Sequence, residues 1–429
     1  MLKTLVCASL ACLLAEAAIG AGPSLRYSLT DLGPLGPGGS VVHINQLGLV
    51  SGALTAADVT DHASVWFGKH VIDISKPGLG GANSIAYASN IFGQVGGGAE
   101  TGTADPNAAD FCGFKAYGLV TSGKVCAPFV WWNGVMRAMP TLGGYNGSVT
   151  QINTFGVATG EAENGQHDPG CPQRLQFKPV KWQNGKVIEL PTYPGDADAL
   201  AYAINDLGQV AGSSGECAPF NPNLQAAMLP LHPLRWEPDG SVTYLGTLGG
   251  TGRSFANLAI NMNNKGHVVG TSALAGDQVN HAFLWTKQGG MRDLGALNPT
   301  DVNSGAAGIN DLDEITGISV PADGPPSAFV WRNGQMTDLN TVVRGAGSLH
   351  LLAGVSINNS GVILGIAIDT QTGEVHGFLA APAANGFFNG QGAEPDVQND
   401  AKSSFSPEAF RKLLESGLLA GRLRAPVTQ

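Results

Sequence analysis

The segment "HDPGCPQR", residues 167–174, packs a histidine, an aspartate, a cysteine and an arginine into one short polar stretch. With Asp168 orienting its ring, His167 could act as a general base, and Arg174 could neutralise an acidic substrate. A second polar stretch, "DFCGFKAYG" at 110–118, adds Asp110, Lys115 and Tyr117; Tyr117 is an alternative base and Lys115 an alternative to Arg174 for neutralising the substrate. Asp105 and Glu216 complete the set. The chemistry would suit a polysaccharide lyase or hydrolase. No spacing specifies it, however, and the chain has no Gly-x-Ser-x-Gly, His-Glu-x-x-His, phosphate loop or dinucleotide fingerprint. Without catalysis, the same residues (Asp110, Lys115, Tyr117, His167, Arg174 and Glu216) would serve as ligand contacts.

The cysteines lie in the same stretches. Cys7 and Cys12 belong to an N-terminal apolar segment, which leaves Cys112, Cys126, Cys171 and Cys217. No Cys-x-x-Cys occurs, so zinc and redox readings are weak, and no metal or cofactor is expected. An even count favours two disulfides. Spacing suggests Cys112–Cys126 and Cys171–Cys217, although four cysteines allow three pairings.

These residues must be held by a scaffold, and the scaffold is written as a repeat. "HINQLGLVSG" at 43, "AINDLGQVAG" at 203 and "SINNSGVILG" at 356 share one layout. Its asparagine recurs as Asn45, Asn90, Asn153, Asn205, Asn263, Asn310 and Asn358, at separations of 45, 63, 52, 58, 47 and 48 residues. Asn-x-x-Gly is a tight turn, because both residues accept positive φ at low cost. A second word follows each turn: "HASVW" at 62, "HPLRW" at 232, "HAFLW" at 281, "SAFVW" at 327. A run this apolar reads as a strand buried on both faces. "GGMRDLG" and "GSVTYLG" then supply a turn and a last strand. Each repeat is thus four short antiparallel strands, a to d, with Asn-x-x-Gly between a and b.

Six of the seven tryptophans end strand c, as expected where wedge-shaped sheets pack on their neighbours. The last repeat stops after strand c, "HGFLA" at 376, while "YSLTDLG" at 27 is a strand d with nothing before it. The expectation is an all-β, seven-bladed β-propeller of four-stranded antiparallel blades, closed by the N-terminal strand. Histidines 62, 232, 281 and 376 belong to the motif, so a ring would spread them over different blades and they read as scaffold.

"HAFLW", "DLGALN" and "AINMNNKGHVVG" resemble the bacterial extracellular repeat family named for its His-Ala-Phe motif. The resemblance covers residues 27 to 380 and implies export and repeat architecture, with no catalytic activity attached. Three departures stand out: Ser89 where isoleucine precedes the asparagine in five of the other six repeats, Asp313 for the turn glycine, and "KPVKW" for "HAFLW".

Residues 1–21 read as a secretory signal cleaved near Gly20 or Ala21, and residues 22–381 as the repeat domain. Residues 382–429 read as a linker followed by an amphipathic helix capped by Ser406, with Phe410, Leu413, Leu414 and Leu418 on one face. A net charge of −10 without any Lys/Arg-rich run argues against nucleic acid, and no later run is apolar enough to span a membrane. Only the b–c loops of repeats two (98–126), three (161–177) and four (213–231) are long, and they hold all four remaining cysteines. Together these features imply a secreted or periplasmic monomer that binds an extracellular polysaccharide, cell-wall component or protein through those loops. A carbohydrate-active enzyme on the same face and a purely structural surface protein are the alternatives.

Overall fold

The computed structural model describes residues 26–107, 111–112, 122–171, 174–217, 228–253 and 256–383. They form a β-propeller of meandering antiparallel strands. In repeat one the strands are Ser40–Ile44, Leu49–Thr55, Asp61–Phe67 and His70–Asp73. Repeat two runs Gly80–Ser89, Val95–Ala104, Lys124–Trp132 and Val135–Ala138, and repeat three Gly143–Ile152, Ala158–His167, Leu175–Gln183 and Lys186–Glu189. Repeat four is Asp198–Ile204, Val210–Cys217, Met228–Trp236 and Val242–Tyr244. Each of these four is its own sheet.

The expectation of seven separate four-stranded blades with a C-terminal helix is corrected by the rest of the chain. Five sheets stand apart, four of them four-stranded and one five-stranded, while repeats five and six run together as a single eight-stranded sheet. The junction is one parallel pairing, Asn280 with Asn303, where the Asn280 amide donates to the Asn303 side chain at 2.9 Å. The five-stranded sheet joins Leu349–Ile357, Ile363–Asp369 and Val375–Pro382 to the N-terminal strand Tyr27–Pro34, with Val343–Arg344 parallel on its outer edge. Among the described residues the one helix is a single turn, Leu339–Val342, capped by the Asp338 carboxylate. The helix expected near Ser406 and the signal at 1–21 both lie outside the described residues. No helix among the described residues is long and apolar enough to cross a membrane.

Packing follows from the strand c word. In "HAFLW" the side chains of Ala282, Phe283, Leu284 and Trp285 are all buried, since the strand packs against repeat four on one face and repeat six on the other. Strand b makes room for the phenylalanine with a glycine: a Cβ on Gly365 would sit 2.3 Å from the ring of Phe378. The Trp182 and Trp236 indoles donate to the Pro140 and Pro191 carbonyls, tying each repeat to the one before it.

The asparagine turns form a second system of joints. Asn45 Nδ2 donates to the Asn90 carbonyl, Asn90 to that of Asn153, and so on through Asn205, Asn263, Asn310 and Asn358 back to Asn45. Each side-chain oxygen meanwhile accepts the two amides of its own turn, as Asn205 does from Leu207 and Gln209. At Asp313 the left-handed conformation survives without glycine (φ 61°). There the carboxylate accepts from Asn263 and bonds Lys265 and His267. Burial opposes its charge, but those bonds win and hold the carboxyl below its ordinary range.

Candidate functional site

Strands a and b meet at the asparagine-turn face, so the b–c loops emerge on the opposite one. There the long loops of repeats two, three and four are joined in series. Cys112–Cys126 pins the repeat-two loop to its own strand c, with 5.7 Å between Cα atoms. Phe111, beside that disulfide, packs on Phe177 of repeat three with ring centroids 4.8 Å apart. Cys171–Cys217 then binds the repeat-three loop to strand b of repeat four across 6.1 Å. Both Cα separations fall in the normal disulfide range. At the far end Glu216 faces Arg253 of the following loop at 3.4 Å, with both side chains largely in solvent.

Within the repeat-three loop, His167 ends strand b opposite Leu175 and is exposed. Asp168 turns away from it. Its Oδ1 accepts the amides of Gly170 (2.7 Å) and Cys171 (2.9 Å), and its own amide donates to Arg174. The carboxylate is therefore a loop brace, and no hydrogen bond joins Asp168 to His167. Arg174 is half-buried. Asp105 is buried too, its carboxylate accepting from Asn107 and Asn146. Asp110, Lys115 and Tyr117 lie outside the described residues. An Asp168 oxygen lies within 4.8 Å of the Cys171 and Cys217 sulfurs, but those sulfurs are bonded to each other and offer no thiolate to a metal.

Beneath the loop Asp168 neighbours Asp198, the buried residue that opens strand a of repeat four. Asp198 Oδ1 accepts the Phe177 amide at 2.8 Å. Asn83, Asn146 and Asn303 do the same for Asp61, Cys126 and Asn280, so this is a recurring latch with a carboxyl in place of an amide. Burial pushes the Asp198 carboxyl up to about 7; the Phe177 amide opposes that and the negative charge of Asp168 adds to it. At neutral pH the latch sits near its titration point.

The motif histidines bond aspartates. His62, His281 and His376 each place Nδ1 2.9 Å from the strand d aspartate, Asp73, Asp293 and Asp31 respectively. Repeat four departs: His232 bonds Asp196 from the preceding loop at 2.8 Å and is surrounded by Tyr193 and Tyr244. Reading His232 as one of four equivalent scaffold histidines missed this, although "TYLG" in place of "DLG" marked the difference.

On the opposite face a cavity of about 120 Å³ sits at the centre of the asparagine ring, lined by His43, Gln151, Asp206 and Asp311 among others. Around it Leu47, Phe92, Phe155, Leu207 and Leu312, each two residues past its asparagine, are more than half exposed.

No protein-family model matches the chain, and no curated protein matches it. Solved structures do. One is a chain from a study of two prolyl endopeptidases, at 12% identity and a TM-score of 0.42, covering 80% of this chain and 47% of that one. Another is a puromycin-hydrolysing peptidase of Mycobacterium tuberculosis, at 11% identity and TM-score 0.42, covering 82% and 56%. A chain of a mitotic checkpoint complex aligns at 10% identity and TM-score 0.40 over 89% of this chain and 99% of its own. This chain thus spans about half the length of the two peptidases.

Proposed function

We propose that this is an exported repeat protein of the His-Ala-Phe type that works as a binding module. Its ligand is an extracellular polysaccharide, a cell-wall component or a protein. One observation carries the reading: Cys112–Cys126 pins the repeat-two loop to its own strand c, and the Phe111–Phe177 contact and Cys171–Cys217 join the three long b–c loops in series. Insertions that only tolerate solvent have no need of lateral fastening, whereas a ligand-binding surface gains affinity from pre-organisation. The disulfides fit an oxidising compartment, in keeping with the signal read at residues 1–21. Among the described residues Asp168 makes no hydrogen bond to His167, its Oδ1 being taken by Gly170 and Cys171.

The test incubates residues 22–429 with insoluble cell-wall and extracellular polysaccharides and follows both protein depletion and new sugar ends. Depletion without new ends, lost in Cys171→Ser/Cys217→Ser, is the expected result. New ends would make the chain an enzyme. Silence in both leaves a protein partner, sought by cross-linking on intact cells, and failure there as well overturns the binding-module reading.

A further inference from the structure

We propose that Tyr193, His232, Tyr244 and Asp196 form a saccharide subsite on the flank of repeat four, an inference that rests on the binding-module reading above. The starting point is register. Strand d pairs Asp73 with Ser64, Asp293 with Phe283 and Asp31 with Phe378, each two residues past the motif histidine. In repeat four the residue paired with Leu234, two past His232, is Tyr244. The aspartate that bonds the imidazole elsewhere is thus replaced by an aromatic ring, and the site is rebuilt from a different loop.

That loop is "TYPGD". Tyr193 and Asp196 close a four-residue turn, the Asp196 amide donating to the Tyr193 carbonyl at 3.0 Å, with Pro194 second and Gly195 third at φ 99°. This is the residue order a type II turn requires. It sets Tyr193 and Asp196 on either side of His232: the Tyr193 ring stacks on the imidazole at 3.8 Å and 15°, and Asp196 Oδ2 takes its Nδ1. Tyr244 closes the group edge-on, 5.3 Å from Tyr193 and 5.6 Å from His232. The Tyr193 amide donates to Ser214, three residues before Cys217, so the cluster is anchored to the strand that carries the loop disulfide.

Exposure distinguishes this site from its relatives. The His232 side chain is 24% exposed, against 13%, 18% and 10% for His62, His281 and His376. Tyr244 is also exposed. Asp196 occupies Nδ1, so Nε2 is the ring nitrogen left for a ligand. The surface therefore offers an aromatic ring beside a ring nitrogen and two phenols. A pyranose presents complementary chemistry, with axial C–H groups on one face and hydroxyls around the rim. A quaternary cation fits less well. Tyr193 and His232 are stacked on each other with no gap to enclose it, and Asp196 is committed to the imidazole.

The experiment titrates residues 22–429 with chitohexaose, cellohexaose and xylohexaose, following intrinsic fluorescence and heat. Tyr244→Asp restores the strand d residue of repeats one and five, so it is expected to fold with an unchanged Tm. It should lose at least tenfold in affinity for the sugar that binds, while Tyr244→Phe stays within about threefold. Binding that is equal in Tyr244→Asp overturns the subsite and leaves the binding-module reading standing. Absence of binding by the unmodified chain to all three sugars overturns the saccharide assignment. If polysaccharides also fail to deplete the protein, the carbohydrate half of the broader reading falls with it.

Discussion

Asp198 does with a carboxyl what Asn83, Asn146 and Asn303 do with an amide, and the substitution has a pH consequence. Its carboxyl is raised from 3.8 to about 7, so the folded chain holds a proton that the unfolded chain has released. Stability from this group is therefore full below about 4 and is lost as pH rises toward 7, at a slope of up to about 1.4 kcal/mol per pH unit. The groups that face it are Asp168, which raises it, and Lys178, which lowers it. Asp198→Asn keeps an oxygen for the Phe177 amide and removes the titration. The variant should match the unmodified protein at pH 4 and exceed it at pH 8 in urea denaturation; parallel profiles would mean that Asp198 is ionised throughout. The latch itself is invisible in the sequence, because asparagine at the start of a strand has many uses and only the packed neighbour shows which amide it serves.

Among the elements, the Asn-x-x-Gly turn assigns opposite duties to residues two apart. Asn205 accepts from Leu207 and Gln209 and donates to the Asn263 carbonyl from a buried position. Asn205→Ala leaves two turn amides and a carbonyl without that partner and should cost roughly 1–3 kcal/mol. Leu207 makes its contacts largely with solvent, so Leu207→Ser should change stability by no more than about 0.5 kcal/mol. Equal losses in guanidinium unfolding would refute this division. The turns were legible because asparagine, glycine and spacing recur together, and Cys112–Cys126 and Cys171–Cys217 because spacing favoured them. The fusion of repeats five and six was not, since it hangs on the single pairing of Asn280 with Asn303. Nor was the direction of Asp168: adjacency to His167 suggested a dyad, while the loop's own amides captured the carboxylate. Tyr244 was readable in principle as a break in "DLG", but only register proves that it replaces the aspartate.

For the molecule as a whole, closure joins residues more than three hundred positions apart. Tyr27–Pro34 pairs antiparallel with Val375–Pro382, Asp31 bonds His376 at 2.9 Å, and the Asn358 amide reaches the Asn45 carbonyl. Without the N-terminal strand, Val375–Pro382 becomes an open edge whose Phe378 and Ala380 were fully buried, a surface prone to pair with other chains. The ring is complete only once Tyr27–Pro34 has found Val375–Pro382, a non-local pairing of the kind that slows folding. A chain beginning at Leu35 should therefore melt well below the chain beginning at Gly22 and aggregate on heating. A synthetic peptide of residues 26–36 should recover most of the loss by occupying the vacant edge, and the same peptide with Asp31→Ala should recover less, because His376 then lacks its carboxylate. Calorimetry with and without each peptide measures this directly. A melting temperature unchanged by the deletion would mean that the sheets hold their arrangement through neighbour contacts alone and that the N-terminal strand is an ornament on a ring already stable without it.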